Sequence, residues 1–250
     1  MYGINDSRTG KSNSQSSTDY SLVIVDDDFY FRKGLINFLT EQNHHSKTRK
    51  LCLSVVGEAD NKDQTLELNQ KYKPDLVILD LDLGNQQLDG IGILRHLKQQ
   101  THQPQVLMLS ASRHDREIYK AMSAGASGYL IKEQITSQLL EAIVTVTEGK
   151  IYLPPEVATS FFSFFHHKST QPQTTNTSFE FTHREKEVLA LLVEGKSNQK
   201  IAEQLFITIA TVKAHLTSIF GKLQVSNRSQ AIVKALHLQL IPQVKVMQNL

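Results

Sequence analysis

Three short stretches, far apart in the chain, carry residues that could share one site. The acidic run Asp26, Asp27 and Asp28 follows Leu22-Val23-Ile24-Val25. Asp80 closes Leu76-Val77-Ile78-Leu79, and Lys132 follows Tyr129-Leu130-Ile131. Carboxylates offer hard oxygen donors, a set that suits Mg²⁺ better than a transition metal. Phosphoryl transfer asks little covalent help of a protein. It needs a metal, cations that offset charge on the transferred group, and a nucleophile in line. Asp80 can be that nucleophile and form an aspartyl phosphate. Lys132 can pair with a phosphoryl oxygen as a point charge. Ser110, which ends Val106-Leu107-Met108-Leu109, can donate a hydrogen bond to one.

Each of these groups follows a short apolar run that reads as a buried parallel strand. Strands are expected near 22–26, 51–57, 75–80, 105–110 and 128–131, with helices near 29–40, 62–71, 90–99, 113–124 and 135–148. Five β/α units predict an open, doubly wound α/β fold, a five-stranded parallel sheet with helices on both faces. Parallel strands bring their carboxyl ends to one edge, where such folds bind ligands. Gly125 and Gly149 read as left-handed residues closing the fourth and fifth helices.

The net charge of +2 hides an asymmetry: residues 181–250 hold nine Lys+Arg against four Glu, and the rest of the chain is acidic. A basic back half predicts an anionic partner, with duplex DNA foremost. Cys52 is the single cysteine, so no intrachain disulfide can form, which fits a reducing cytoplasmic setting. It is expected as a small buried hydrophobe. No apolar run approaches the roughly 18 residues of a membrane span, so no membrane partner is expected.

The organisation expected is a disordered lead-in at 1–19, an α/β domain at 20–150, a linker at 151–180, a helical domain at 181–240 and a tail at 241–250. Phe161, Phe162, Phe164 and Phe165 lie within the linker, and such a run should dock on a domain or a partner. The helical domain should be a small all-α unit of four helices. Thr182-His183-Arg184-Glu185 is a capping box, Ser197 and Thr208 open the next two helices, and the fourth begins near Asn227. The third helix buries Val212, Leu216, Ile219, Phe220 and Leu223, and its opposite stripe carries Lys213, Ala214, Thr217 and Gly221.

With these motifs in view, residues 21–148 resemble a response-regulator receiver domain, which is flavodoxin-like. Residues 181–240 resemble a LuxR-type helix-turn-helix, through Arg184-Glu185-Lys186-Glu187-Val188-Leu189, Glu194-Gly195-Lys196-Ser197-Asn198 and Thr211-Val212-Lys213-Ala214-His215-Leu216. The combination is similar to NarL/FixJ-type transcription regulators of two-component signalling. The resemblance implies a phosphoprotein and not an enzyme, phosphorylated on Asp80 by a sensor histidine kinase and active as a homodimer on DNA. It implies that Asp26, Asp27, Asp80 and the Asp82 backbone carbonyl hold Mg²⁺. Ser110 and Lys132 would sense the phosphoryl group, and Tyr129 would turn inward on activation. Lys213, Ala214 and Thr217 would meet base edges, while His215, Ser218, Lys222 and Arg228 would meet phosphates. The fourth helix would join two copies on paired half-sites.

Two departures stand out. The stretch Leu81 to Gly90 is about two residues longer than usual and lacks the customary proline, and Gln224 stands where the family has glycine, which suggests a different cap. The altered loop keeps open a regulator that works without phosphate and uses the receiver to dimerise. Asp80-Leu81-Asp82 after an apolar strand keeps open a HAD-like phosphatase.

Overall fold

The computed structural model describes residues 18–45, 51–84, 89–158, 161, 179–238 and 240. Strands β1 (Thr18–Val25), β2 (Leu51–Ala59), β3 (Leu76–Asp80), β4 (Gln105–Ser110) and β5 (Gly128–Ile131) form one parallel sheet in the order β2-β1-β3-β4-β5. Side chains alternate between the two faces of a strand, so each strand feeds two cores. Leu22, Ile24, Leu76, Ile78, Leu107, Leu109 and Leu130 point to one, with Leu35, Leu39, Leu139 and Ile143. These come from helices α1 (Phe29–His45) and α5 (Ile135–Thr147). Val23, Val25, Val77, Leu79, Val106, Met108, Tyr129 and Ile131 point to the other. There they meet α2 (Lys62–Tyr72), α3 (Gly90–Gln99) and α4 (Asp115–Ala124). Full burial of each such aliphatic side chain contributes roughly 1.5–3 kcal/mol, which anchors the strand ends that carry polar groups.

Cys52 is a correction to the sequence reading: it is exposed. Its strand, β2, is the sheet edge next to β1, and Cys52 faces outward there. The tight end of α4 is as expected. Gly125 has φ +105°, and the amides of Gly125 and Ala126 reach back to the carbonyls of Met122 and Ala121.

After the sheet domain, Tyr152 bridges to Gly128, residues 155–158 are helical, and Val157 and Phe161 enter the second core. Phe161 stacks on Tyr119 with ring centroids 6.1 Å apart, so one of the four phenylalanines docks on the front domain. Phe162, Phe164 and Phe165 lie outside the described residues.

The back domain consists of α6 (His183–Val193), α7 (Asn198–Leu205), α8 (Ile209–Leu223) and α9 (Arg228–His237) around Val188, Leu192, Ile201, Val212, Leu216, Ile219, Leu223 and Ala231. All four helices start on side-chain caps: Thr182, Ser197, Thr208 and Asn227 each accept a hydrogen bond from an amide three residues on. At the end of α8 the sequence suggests an altered cap, but the ordinary left-handed geometry is kept. Gln224 itself adopts φ 52° and ψ 50°, at a steric cost of roughly 1–2 kcal/mol that glycine would not incur.

The two domains touch through α9 and α4. Val233 of α9 is buried in the sheet domain's second core. The Ser229 hydroxyl donates to the Ala126 carbonyl at 2.5 Å. Asn227 sits so close over Gly125 that a Cβ there would lie 2.2 Å from its Nδ2.

Candidate functional site

The strand order puts Asp26, just past β1, beside Asp80, the last residue of β3. The sheet's connections change direction between these two strands, the usual place for a ligand crevice. Asp26 and Asp80 are buried and Asp27 is exposed, and their carboxylate oxygens lie within 4.8 Å of one another. Lys132, delivered from the end of β5, bridges two of them. Its Nζ is 2.7 Å from Asp26 Oδ2 and 2.9 Å from Asp80 Oδ2. Burial disfavours the charged amine, but hydrogen bonds to Asp26 and then Asp80 outweigh it and raise the Lys132 pKa. Burial pushes the Asp80 carboxyl up to about 6; Lys132 opposes the rise and the neighbouring Asp26 charge adds to it. Three carboxylates against one amine leave the cluster short of positive charge. A divalent cation would fit that deficit, and the all-oxygen donor set suits a hard ion.

The surroundings hold this cluster in place. The Arg32 guanidinium donates to the Asp26 carbonyl at 2.5 Å, and Asp26 Oδ1 accepts from the Asp28 amide. Asp28 caps α1, accepting from the amides of Tyr30 and Phe31. The Lys132 amine lies 4.3 Å from the Phe31 ring centroid, a cation–π contact. Two glycines shape the site. A Cβ on Gly84, which has φ +63°, would lie 2.5 Å from Asp27 Oδ2. One on Gly90 would lie 2.0 Å from the Asp80 carbonyl oxygen. Arg32 and Phe31 escaped the sequence reading because only the helical turn brings them back to the strand end. Gly90 had a local signal, following the Asp89 cap of α3.

Ser110 is buried at the end of β4, and its Oγ accepts from the Ser112 amide. Asp82 lies exposed two residues past Asp80, and residues 85–88 of its loop lie outside the described residues. Tyr129, the aromatic expected to turn inward on activation, lies at the end of the sheet nearest Ser110 and Ser112. It is fully buried, its hydroxyl donates to the Ser112 carbonyl at 3.2 Å, and burial raises its pKa to about 12. The ring fills part of the second core.

In the back domain, α8 exposes Lys213, Ala214 and Thr217 along one stripe, with His215 half-buried beside it. This stripe is open in the presence of the front domain. Ser218 and Lys222 are engaged elsewhere. The Ser218 hydroxyl and the Lys222 amine both bond the buried Glu185 carboxylate at 2.6 Å. Burial opposes the Glu185 charge, but Lys222, Ser218 and the Thr182 cap pull its pKa down to about 2. Arg228 departs furthest from the sequence reading as a phosphate contact. Its Nη2 donates to the Lys196 carbonyl at 2.6 Å and the Leu192 carbonyl at 3.3 Å. The guanidinium therefore closes the end of α6 rather than lying on the surface.

Both domains match known families. Residues 22–144 match the response regulator receiver domain, and residues 180–235 match the bacterial regulatory proteins of the luxR family. The chain belongs to the two-component response regulators that join a receiver to a LuxR-type DNA-binding domain, and it is a transcription regulator of that class. It is 33% identical over 214 residues to the transcriptional regulatory protein LiaR of Bacillus subtilis (strain 168), covering 86% of this chain and 95% of that one. It is 31% identical over 229 residues to the transcriptional regulatory protein DegU of Brevibacillus brevis, covering 86% and 92%. Among solved structures, an RcsB response regulator of Salmonella typhimurium shares the fold at a TM-score of 0.50 and 20% identity, over 89% of this chain and 99% of that one. A LuxR-family response regulator from Aurantimonas sp. SI85-9A1 matches at 0.50 and 25% identity, over 59% of this chain and 98% of that one.

Proposed function

We propose that Asp80 is the phosphoacceptor of this regulator and that Mg²⁺ enables the transfer. The metal would be held by Asp26, Asp27, Asp80 and the Asp82 carbonyl, supplying the positive charge that Asp80 needs to approach an anionic donor. The observation that carries this is the cluster itself: three carboxylates within 4.8 Å, two of them bridged by one lysine from the end of another strand. Lys132 then moves from its carboxylates to a phosphoryl oxygen, and Ser110 donates to another. A sensor histidine kinase is the donor, and the setting is the cytoplasm. Among the described residues no helix is long and apolar enough to cross a membrane. Incubation with a small phosphodonor should add one phosphoryl mass only when Mg²⁺ is present, and Asp80→Asn should abolish the gain. Labelling that survives Asp80→Asn would overturn the assignment.

The DNA face follows from exposure. Lys213, Ala214 and Thr217 read base edges in the major groove and His215 meets the backbone. Lys222 and Ser218 hold α8 on α6 through Glu185, and from there Lys222 reaches a phosphate. Paired half-sites need a homodimer, and α9 is the helix proposed to form it. In this structure α9 is packed on α4 while the reading stripe of α8 stays open. The receiver therefore restrains dimerisation rather than base reading. Phosphorylation acts by loosening α4 from α9, which a ligand can do only through its differential interaction with the two states.

A further inference from the structure

Away from the acidic cluster, the seam between the two domains encloses a cleft of about 280 Å³. Receiver residues Lys98, Gln105 and Lys150 line one side, and Asn198, Asn227 and Arg228 line the other. Three of these are cations, and no described residue lining the cleft carries a carboxylate. Lys150 has an acidic neighbour in Glu148, at 2.5 Å. Among the described residues Lys98 and Arg228 meet only carbonyls: Lys98 donates to Pro104 at 2.7 Å, and Arg228 Nη2 donates to Leu192 and Lys196 at the end of α6. Arg228 Nε and Nη1 and Asn227 Nδ2 lie buried within the cleft wall and have no partner among the described residues. Such groups each cost free energy unless something accepts from them. The cleft also takes two helix starts. Asn198 is the first residue of α7, and Asn227 and Arg228 are the cap and first residue of α9, so positive ends of two helix dipoles converge there. Desolvation without an acid lowers the Lys98 pKa to about 8 and the Arg228 pKa to about 10, the response of buried cations that lack a counter-charge.

We infer that this interdomain cleft is a binding site for a small phosphate-bearing anion, clamped by Lys98 and Lys150 of the receiver and Arg228 and Asn227 of the DNA-binding domain. A tetrahedral oxyanion presents several acceptors to converging donors, and the cleft holds it with room for a small organic group. Its ligands come from both domains, so the anion fastens α9 to the receiver and opposes the release proposed above. The site shares no residue with the acidic cluster, and it stands or falls separately from aspartyl phosphorylation.

The test is isothermal titration of the full chain, without Mg²⁺ and at matched ionic strength, with inorganic phosphate and separately with glycerol phosphate. Saturable binding at one site per chain is expected from at least one of them, and the tighter of the two identifies whether the ion is free or carried on an organic group. Lys98→Gln keeps a donor for Pro104 but removes the charge, and it should weaken binding about tenfold, as the loss of one charge-assisted hydrogen bond does. Lys150→Gln, at a more open position, should weaken it in the same direction, and Lys213→Ala on the DNA face should leave it unchanged. The inference is overturned if neither anion binds saturably. It is equally overturned if binding survives both cleft substitutions, or if Lys213→Ala removes it, since the ion would then sit on the DNA-reading face.

Discussion

Replacing Ser229 with alanine should release the DNA-binding domain without any phosphate. The hydroxyl donates at 2.5 Å to the Ala126 carbonyl, and both residues are buried in the seam. Alanine takes little volume away, so packing of Val233 and Asn227 across the seam should survive. The loss is the hydrogen bond, which leaves a buried acceptor unsatisfied at a cost of roughly 1–3 kcal/mol. Each 1.4 kcal/mol is a factor of about ten, so the closed form should lose about fivefold to a hundredfold against the open one. If dimerisation through α9 requires the open form, the apparent dimer dissociation constant of the unphosphorylated chain should fall steeply with that factor. Sedimentation equilibrium over a concentration series measures it. Phosphorylated Ser229→Ala should dimerise like phosphorylated wild type, because both are already open. An unphosphorylated variant that dimerises no better than wild type would refute the restraint assigned to the α4–α9 contact.

Other consequences can be checked with simpler measurements. Gly90→Ala adds a Cβ that would lie 2.0 Å from the Asp80 carbonyl oxygen, so it should slow phosphorylation at least tenfold while near-native circular dichroism shows the fold is kept. Glu185 titrates lower in the folded chain, about 2, than its ordinary 4.5, so its ion pair stabilises fully above pH 5. That stability, roughly 1–3 kcal/mol after allowance for the partly exposed Lys222, should be lost as pH falls from 4.5 toward 2. Thermal melts of wild type and Glu185→Gln should therefore converge at low pH. Lys213→Ala should relax preference at one base pair and cost about 1–3 kcal/mol there, measured on a site selected from random duplexes. Lys222→Ala should instead weaken all sequences alike and also lower the melting temperature, since it strips Glu185 of its counter-charge.

The acidic cluster was legible because its chemistry sits at the ends of apolar runs. Once Leu22 to Val25 and Leu76 to Leu79 read as parallel strands, Asp26 and Asp80 had to meet at one edge, and Lys132 had to follow from β5. The caps at Thr182, Ser197 and Thr208 were legible for the same local reason. What escaped was set by tertiary neighbours. Arg228 reads as a surface cation but finds the carbonyls of Leu192 and Lys196. Cys52 reads as buried but faces outward on an edge strand. Gln224 holds the left-handed cap position that glycine would take more cheaply. The seam between α4 and α9 had no signature at all, because Val233 and Ser229 look like ordinary positions of an amphipathic helix until the partner surface is known.

In the proposed switch, a phosphoryl group on Asp80 frees α9 from α4 and so creates the dimer that binds paired half-sites. Its most direct test is affinity for a selected paired-site duplex, measured by fluorescence anisotropy at fixed salt before and after treatment with a small phosphodonor and Mg²⁺. A shift from about 1% to 99% open corresponds to about 5.5 kcal/mol, so wild type should gain strongly in affinity. Asp80→Asn should gain nothing, and Ser229→Ala should start from a higher affinity and gain less. Equal affinity of wild type before and after confirmed phosphorylation, or an equal gain in Asp80→Asn, would contradict the claim.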